Sequence, residues 1–303
     1  MRQFLIQENS MRKYIYHMLF VLVFVNSRLL AIIFETNNLQ DILKHLPNIT
    51  QKTKNTNMDT IKDTIVVFDI DHTIAQLSID LDSWIPENIT RLEKKGLTKD
   101  DAISFTLNRY FTLQGCLDLT PIGSAPDFIK TLQNQQIPVM ALTNRSITVS
   151  DRTISELLKY NIDLKITCPC KNKFDFPIKY NSRFDNGIIF AASNDKGTAL
   201  FTFFDKVKYT PKKVIFIDDK MKYVTSVEKA AKNRNIEYVG IRYSLQDELK
   251  KKFNFDQIEK DIHNLQVKIG ITPVDGSNQT PITKEPIIIA TNRKLPQIEK
   301  IRQ

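Results

Sequence analysis

Apolar runs without polar alternation recur along this chain. "TIVVFDID" at 64–71, "IPVMALTNR" at 137–145, "GIIFAAS" at 187–193, "KKVIFIDD" at 212–219 and "IEYVGIRY" at 236–243 are rich in β-branched and aromatic residues. Such runs predict strands covered on both faces, the condition of a parallel sheet. "LKITC" at 164–168 reads as a further short strand, and Asn186-Gly187 as a turn that starts "GIIFAAS". Between the runs the spacing is helical: "SAPDFIKTLQNQQ" with Pro126 in its first turn, "TVSDRTISELLKYN", "DKGTALFTFFDKV" and "MKYVTSVEKAAKNR". Strands alternating with helices predict an α/β domain with right-handed crossovers.

Two stretches interrupt that alternation. From Trp84 to about Leu119 the pattern is helical throughout, with one helix stopped by Gly96 and a second capped by Thr98 and ending near Gly115. Residues 32–60 read as a lead-in with one short helix capped by Asn38 or Thr36, then polar loop. The stretch 261–303 has loop-like composition and reads as a peripheral tail.

Composition changes this picture at the N-terminus. Arg12 and Lys13 precede an apolar run from Tyr14 to Val25, a basic region and an apolar region too short to span a bilayer comfortably. Residues 1–31 are therefore expected to be a secretory signal peptide, cut after Ser27 or Ala31, with an uncleaved anchor as the other reading. The formal charge is +9, but the lysines are scattered, so the charge is read as solubility and attraction to anionic substrates rather than nucleic-acid binding. Cys116, Cys168 and Cys170 are an odd number and build no disulfide framework, and "CPC" lacks the spacing of a zinc knuckle.

The candidate chemistry lies where the apolar runs end. "FDIDHT", "LTNR" and "FIDDK" put polar groups at the carboxyl ends of three expected strands, which is where ligands bind in open parallel sheets. Asp69 and Asp71 stand one residue apart, and two such carboxylates repel each other. Either one pKa rises or a cation is held between them.

In sequence order, Asp69-Ile70-Asp71-His72-Thr73, Thr143, Lys196 and Asp218-Asp219 resemble the four motifs of the haloacid dehalogenase superfamily of phosphohydrolases, over about Thr64 to Tyr243. The "DIDHT", "LTNR" and "GIRY" segments also resemble a group of secreted bacterial members. The resemblance implies a Rossmann-like parallel sheet flanked by helices, with a small helical cap inserted after the first strand. The core would comprise 61–74 and 122–260, and the cap 75–121, with Trp84, Phe105, Tyr110 and Phe111 in the cap core.

It further implies a Mg²⁺ ion held by the Asp69 and Asp218 carboxylates and the Asp71 carbonyl, with Asp219 orienting metal waters or Lys196. Asp69 would be the nucleophile and Asp71 the general acid and base. Thr143, the Asn144 amide and Lys196 would contact the transferring phosphoryl group. Each fragment has a plainer reading: a capped turn for Asp69 and Asp71, a helix cap for Thr143 and Asn144, and a solvated lysine for Lys196, since Lys206, Lys208 and Lys220 lie near it in sequence. His72 reads as a packing residue, and Arg145 as either a substrate contact or a helix cap.

The expectation is thus a secreted or periplasmic bacterial phosphatase, Mg²⁺-dependent, acting on a phosphorylated small molecule or side chain. Neither a nucleic-acid partner nor a membrane association of the mature chain is expected. A phosphoryl-transferring mutase would use the same residues. A secreted interaction protein without activity and a basic surface-binding module are the readings outside enzymology.

Overall fold

The computed structural model describes residues 31–46 and 62–270. Its centre is an eight-stranded sheet in which β1 (Ala31–Thr36), β10 (Glu237–Tyr243), β9 (Lys213–Asp218), β2 (Thr64–Phe68), β5 (Val139–Thr143) and β8 (Ile188–Phe190) run parallel in that order. An antiparallel hairpin, β7 (Asn181–Asp185) and β6 (Phe174–Pro177), extends the β8 edge. The fold is α/β, a mostly parallel sheet flanked by helices, as the alternation of runs predicts.

Successive side chains of a strand point to opposite faces, so each apolar run supplies two layers at once. Val66 and Phe68 of β2 pack with α3 (Ala125–Asn134), α4 (Ser150–Lys159) and the 3-10 turn Leu39–His45. Ile65 and Val67 face α5 (Lys196–Val207) and α6 (Met221–Lys232). Every residue of β2 and β5 is buried.

The structure corrects several expectations. Ahead of its short helix the lead-in 32–60 holds a strand that the pattern does not predict: β1 pairs with β10 from Ala31↔Tyr238 to Thr36↔Tyr243 and forms one edge of the sheet. The insertion therefore follows the second strand in chain order, not the first. Asn38 does cap the short helix, which is 3-10, by accepting from the Gln40 amide. "LKITC" forms turns rather than a strand: the place beside β5 is taken by β8, and Ile166 stays 57% exposed. The Asn186-Gly187 turn is present, with both residues at positive φ between β7 and β8. The signal-peptide reading falls on residues outside those described, except that Ala31 already belongs to β1.

The insertion is a helical hairpin on a two-stranded stem. β3 (Ala75–Leu77) leaves the core, α1 (Leu81–Lys94) and α2 (Lys99–Gln114) pack against each other, and β4 (Leu119–Pro121) returns beside β3. Asp80 and Thr98 cap the two helices by accepting from the amides of Ser83 and Asp101. Trp84 is fully buried, as expected, while Phe105 and Tyr110 are half-buried and Phe111 is 42% exposed and so lies outside the cap core.

The stretch from 261 is not a structureless tail as far as it is described. After the short helix α7 (Asp247–Lys250), α8 (Phe255–Ile269) begins at an Asn254 cap and ends at Gly270 in the left-handed region. Ile258, Ile262 and Leu265 recur at helical spacing and pack with Leu81, Trp84 and Leu113 of the hairpin. Glu259 accepts from Trp84 Nε1 at 2.6 Å and from both Nη atoms of Arg109 at 2.8 Å. The cap is therefore a three-helix unit whose third helix comes from the far end of the described chain.

Candidate active site

Strand order brings the motif residues together. β2 lies between β9 and β5, with Phe68 paired to Ile217 on one side and Ala141 on the other. The residues at or just beyond the carboxyl ends of these strands, Asp69, Thr143 and Asp218, are consequently neighbours. All three are at most 5% exposed.

Lys196 enters from the first turn of α5. Asp195 caps that helix by accepting from the Thr198 amide and from Ser226 on α6. Gly197 lets the two helices meet, because a Cβ there would stand 2.5 Å from the Ser226 carbonyl oxygen. This close approach sends Lys196 inward. Its ammonium, 1% exposed, lies 2.8 Å from Asp69 Oδ1 and 2.7 Å from Asp218 Oδ2. The ammonium groups of Lys206, Lys208 and Lys220, the other lysines of this region of sequence, make neither contact.

Asp69, Asp218 and Asp219 present oxygens within 4.8 Å of one another, and all three are buried. Burial pushes the Asp69 carboxyl up; Lys196 opposes this, and the neighbouring Asp218, Asp219 and Asp71 reinforce it. Burial also raises Asp218, against the pull of Lys196. Burial works against the Lys196 charge, but Asp218 and Asp69 outweigh it and hold the ammonium firmly protonated. The Asp69 Oδ1 atom accepts from Lys196 and the Ile70 amide, while Asp219 Oδ2 takes Lys250 Nζ at 2.6 Å. Asp69 Oδ2 and Asp219 Oδ1 thus remain without a hydrogen bond among the described residues. Three carboxylates face two ammonium groups here, one negative charge in excess. Hard oxygen donors in a buried cluster with that imbalance suit a small divalent cation such as Mg²⁺.

Asp71 is close in sequence but differently engaged. The chain turns sharply after it, with His72 at φ 58° and the amides of Thr73, Ile74 and Ala75 all directed to the Ile70 carbonyl. Its carboxylate meets Arg145, which donates Nη2 to Oδ1 at 2.7 Å and Nε to Oδ2 at 2.9 Å. The guanidinium is 2% exposed and the carboxylate 23%. Arg145 is therefore neither a helix cap nor an open substrate contact in this structure. It is a buried fork on Asp71, also donating to Thr153 on α4. Its position two residues after Thr143 was the only sequence signal, and the partner could not be read from it. Thr143 Oγ1 accepts from the Arg145 amide, and the buried Asn144 Oδ1 has no hydrogen-bond partner among the described residues.

The cap closes over this cluster. Lys220, next to the paired acids, forms an ion pair with Asp82 on α1. His72 Nε2 lies 3.7 Å from Asp80 and 3.8 Å from Asp82. Burial, and then the charges of Asp71 and Asp82, push the Tyr110 hydroxyl of α2 well above its ordinary pKa, and its oxygen accepts from Gln114 at 2.9 Å. Arg152 of α4 fastens the turn that leads into β4 by donating to the Cys116 and Leu117 carbonyls at 3.1 and 3.2 Å.

Comparison with known proteins gives a family. The model of the family described as "Protein of unknown function (DUF2608)" matches residues 35–269, and the chain belongs to that family. A protein of Chlamydia pneumoniae, provisionally named an outer membrane protein, is 27% identical over 207 residues, covering 67% of this chain and 78% of the relative. A protein of Chlamydia trachomatis with the same provisional name is 27% identical over 183 residues, 59% of this chain and 68% of the relative. Among solved structures, a haloacid dehalogenase-like hydrolase of Streptococcus pneumoniae aligns over 62% of this chain and 98% of its own, with 12% identity and a TM-score of 0.39. A phospho-aspartyl intermediate analogue of phosphoserine phosphatase aligns over 63% and 98%, with 14% identity and a TM-score of 0.32. Likenesses this loose add nothing to what the strand order itself shows. No helix among the described residues is long and apolar enough to cross a membrane.

Proposed function

We propose that this member of the family is a Mg²⁺-dependent phosphohydrolase that cleaves phosphomonoesters through an aspartyl-phosphate on Asp69. The observation that carries the reading is the meeting of Asp69, Lys196 and Asp218, from three separate segments, through contacts of 2.7 and 2.8 Å in a buried cluster. The two ammonium groups pair only part of the three buried carboxylates, and holding the remaining charge away from water is costly unless a ligand offsets it.

In the proposed mechanism Asp69 attacks phosphorus, the ester P–O bond breaks, and Asp71 gives a proton to the leaving alcohol. A water then attacks the same phosphorus, passes its proton to Asp71, and orthophosphate leaves as the Asp69–phosphorus bond breaks. The Asp69 and Asp218 carboxylates and the Asp71 carbonyl would hold the cation, with Asp219 beside them. When bound, Mg²⁺ supplies charge that offsets the repulsion between a carboxylate and a phosphate ester. Thr143, the Asn144 amide and Lys196 would bind the phosphoryl oxygens. Arg145 has a role the motifs do not assign: it fixes the Asp71 carboxylate in place. The fork occupies one acceptor site on each Asp71 oxygen and leaves a second lone pair on each for a proton.

The three-helix cap over the cluster favours a small phosphomonoester or a phosphorylated side chain entering from the edge. The basic and apolar N-terminal segment, together with the provisional outer-membrane name of the relatives, supports a site of action at the bacterial envelope or beyond it. The deciding experiment is phosphate release from a panel of phosphomonoesters by the wild type and Asp69→Asn, with and without Mg²⁺. Turnover that requires both Asp69 and Mg²⁺ is expected. Turnover by the variant, or by the wild type in chelator, would overturn the reading.

A further inference from the structure

One ion pair reaches the acid cluster from outside the four motif segments. Lys250, at the end of α7, contacts Asp219 Oδ2 at 2.6 Å. It is unlike Lys196, which is fully buried and bonded to two carboxylates. Lys250 meets a single oxygen, and its side chain is 25% exposed while that of Asp219 is 2% exposed. The segment carrying it is held at both ends. Upstream, Arg242 at the end of β10 donates Nε to the Asp219 carbonyl at 3.2 Å and Nη2 to Asp247 at 2.8 Å, at the start of α7. Downstream, α8 docks on the cap through Ile262 and through Glu259 with its Trp84 and Arg109 partners. The ammonium is therefore presented to the cluster by a segment that also builds the cap.

We propose that Lys250 is a positioning residue that serves as a tethered counter-cation: by neutralising Asp219 it sets how tightly the acid cluster takes a divalent ion. The inference rests on the reading of the cluster as a cation site. The argument is one of sign. Lys250 and a bound cation would share the same buried carboxylates, so the ammonium repels the ion and engages one of its oxygens. Without it, Asp219 loses its one ion pair among the described residues, and the cluster carries one more negative charge to attract the ion. A lysine bonded to one oxygen, with a water-exposed flank, can move aside where Lys196 cannot. Cation affinity is thereby tied to the seating of residues 244–269.

The test is Mn²⁺ binding to the full chain, without substrate, followed by the electron paramagnetic resonance of the free ion. Lys250→Ala, and Lys250→Met which keeps the apolar stem, should both bind Mn²⁺ tighter by about tenfold or more. Lys250→Arg, which keeps the charge, should stay within about threefold of the wild type. Lys251→Ala removes the same charge from a 70%-exposed lysine paired with Glu248, away from the cluster, and should leave binding unchanged. Unchanged or weaker binding in both Lys250→Ala and Lys250→Met overturns the proposal, as does an equal gain in Lys251→Ala, which would make the effect one of net charge. A wild type that binds no Mn²⁺ overturns the cation reading itself, and this inference with it; binding by the wild type without a shift in the variants overturns only this inference.

Discussion

The acid cluster and the cap are built in opposite ways. The cluster stands on the ends of adjacent parallel strands, so each of its residues is fixed by a short local segment and the sheet does the gathering. The cap core is local only in part: α1 and α2 form one hairpin, but Trp84 and Arg109 meet Glu259 across separations of 175 and 150 residues. A site made by strand ends can be changed one side chain at a time without disturbing the frame. A unit made by distant helices loses its frame with its side chains. Substitutions in the cluster should therefore remove chemistry and spare stability, and substitutions in the cap should do the reverse.

The sharpest contrast comes from Asp69→Asn. Turnover should fall by roughly a thousandfold or more, since the amide is a poor nucleophile of nearly the same shape. The melting temperature should hold or rise, because one of several crowded buried acids loses its charge. Assay and thermal melt on the same sample decide it; a residual rate within about tenfold of the wild type would remove Asp69 from the nucleophile's place.

Next in size is the metal requirement. Asp218→Ala should raise the Mg²⁺ concentration needed for half-maximal rate more than Asp219→Ala, whose loss is expected to cost about 10–100-fold in affinity or activity. The first acid ends β9 beside Asp69, and the second already turns toward Lys250. The reverse order in Mg²⁺ titrations would move the direct ligand one residue along the chain.

Arg145 tests the border between the two behaviours, since it serves the site yet is buried like a core residue. Arg145→Ala should cost stability, by about 1–3 kcal/mol once the partial exposure of Asp71 is allowed for, and also slow turnover. Arg145→Lys restores charge but not the two-pronged geometry, and should recover stability more than rate. Denaturant melts beside kcat for the two variants separate these; equal recovery of both would reduce Arg145 to a simple counter-charge.

The smallest effect on chemistry belongs to Glu259→Ala. Leaving the Trp84 indole and Arg109 without a partner should cost about 1–3 kcal/mol and shift the emission of Trp84, the chain's one tryptophan, to longer wavelength. In saturating Mg²⁺, hydrolysis of a small phosphomonoester should change by no more than about threefold. A loss of turnover as large as that of Asp69→Asn would erase the distinction between the two regions.

The same contrast explains what could be read from the chain alone. The five long strand runs, the Asn186-Gly187 turn and the Thr98 cap carry local signals, and they stand where the pattern puts them. Asp69, Thr143, Lys196 and Asp218 were legible because a polar group at the end of a buried run, or at the first turn of a helix, is itself a pattern. β1 was missed because "AIIFET" is short and borders the apolar N-terminal run, which hides it. α8 was missed because its apolar positions are sparse and its partner helices lie far back in the chain. The Arg145–Asp71 pair and the Lys250–Asp219 pair are long-range contacts between charged residues, and charge has no periodicity that announces a partner.

The dependence of the cap on α8 also puts a schedule on its assembly. Domains generally fold as units, N-terminal ones first, as the chain emerges during synthesis. Here α1 and α2 are complete by Gln114, yet the side of Trp84 that meets Ile262 and Glu259 has no cover until Phe255–Ile269 has been made. For the time needed to add some 155 residues, on the order of ten seconds or more, the nascent hairpin would carry an open apolar face. A ribosome stalled or terminated before α8 would leave the sheet strands and their motif residues in place beneath a sticky, half-built cap, the kind of intermediate that chaperones and proteases sort.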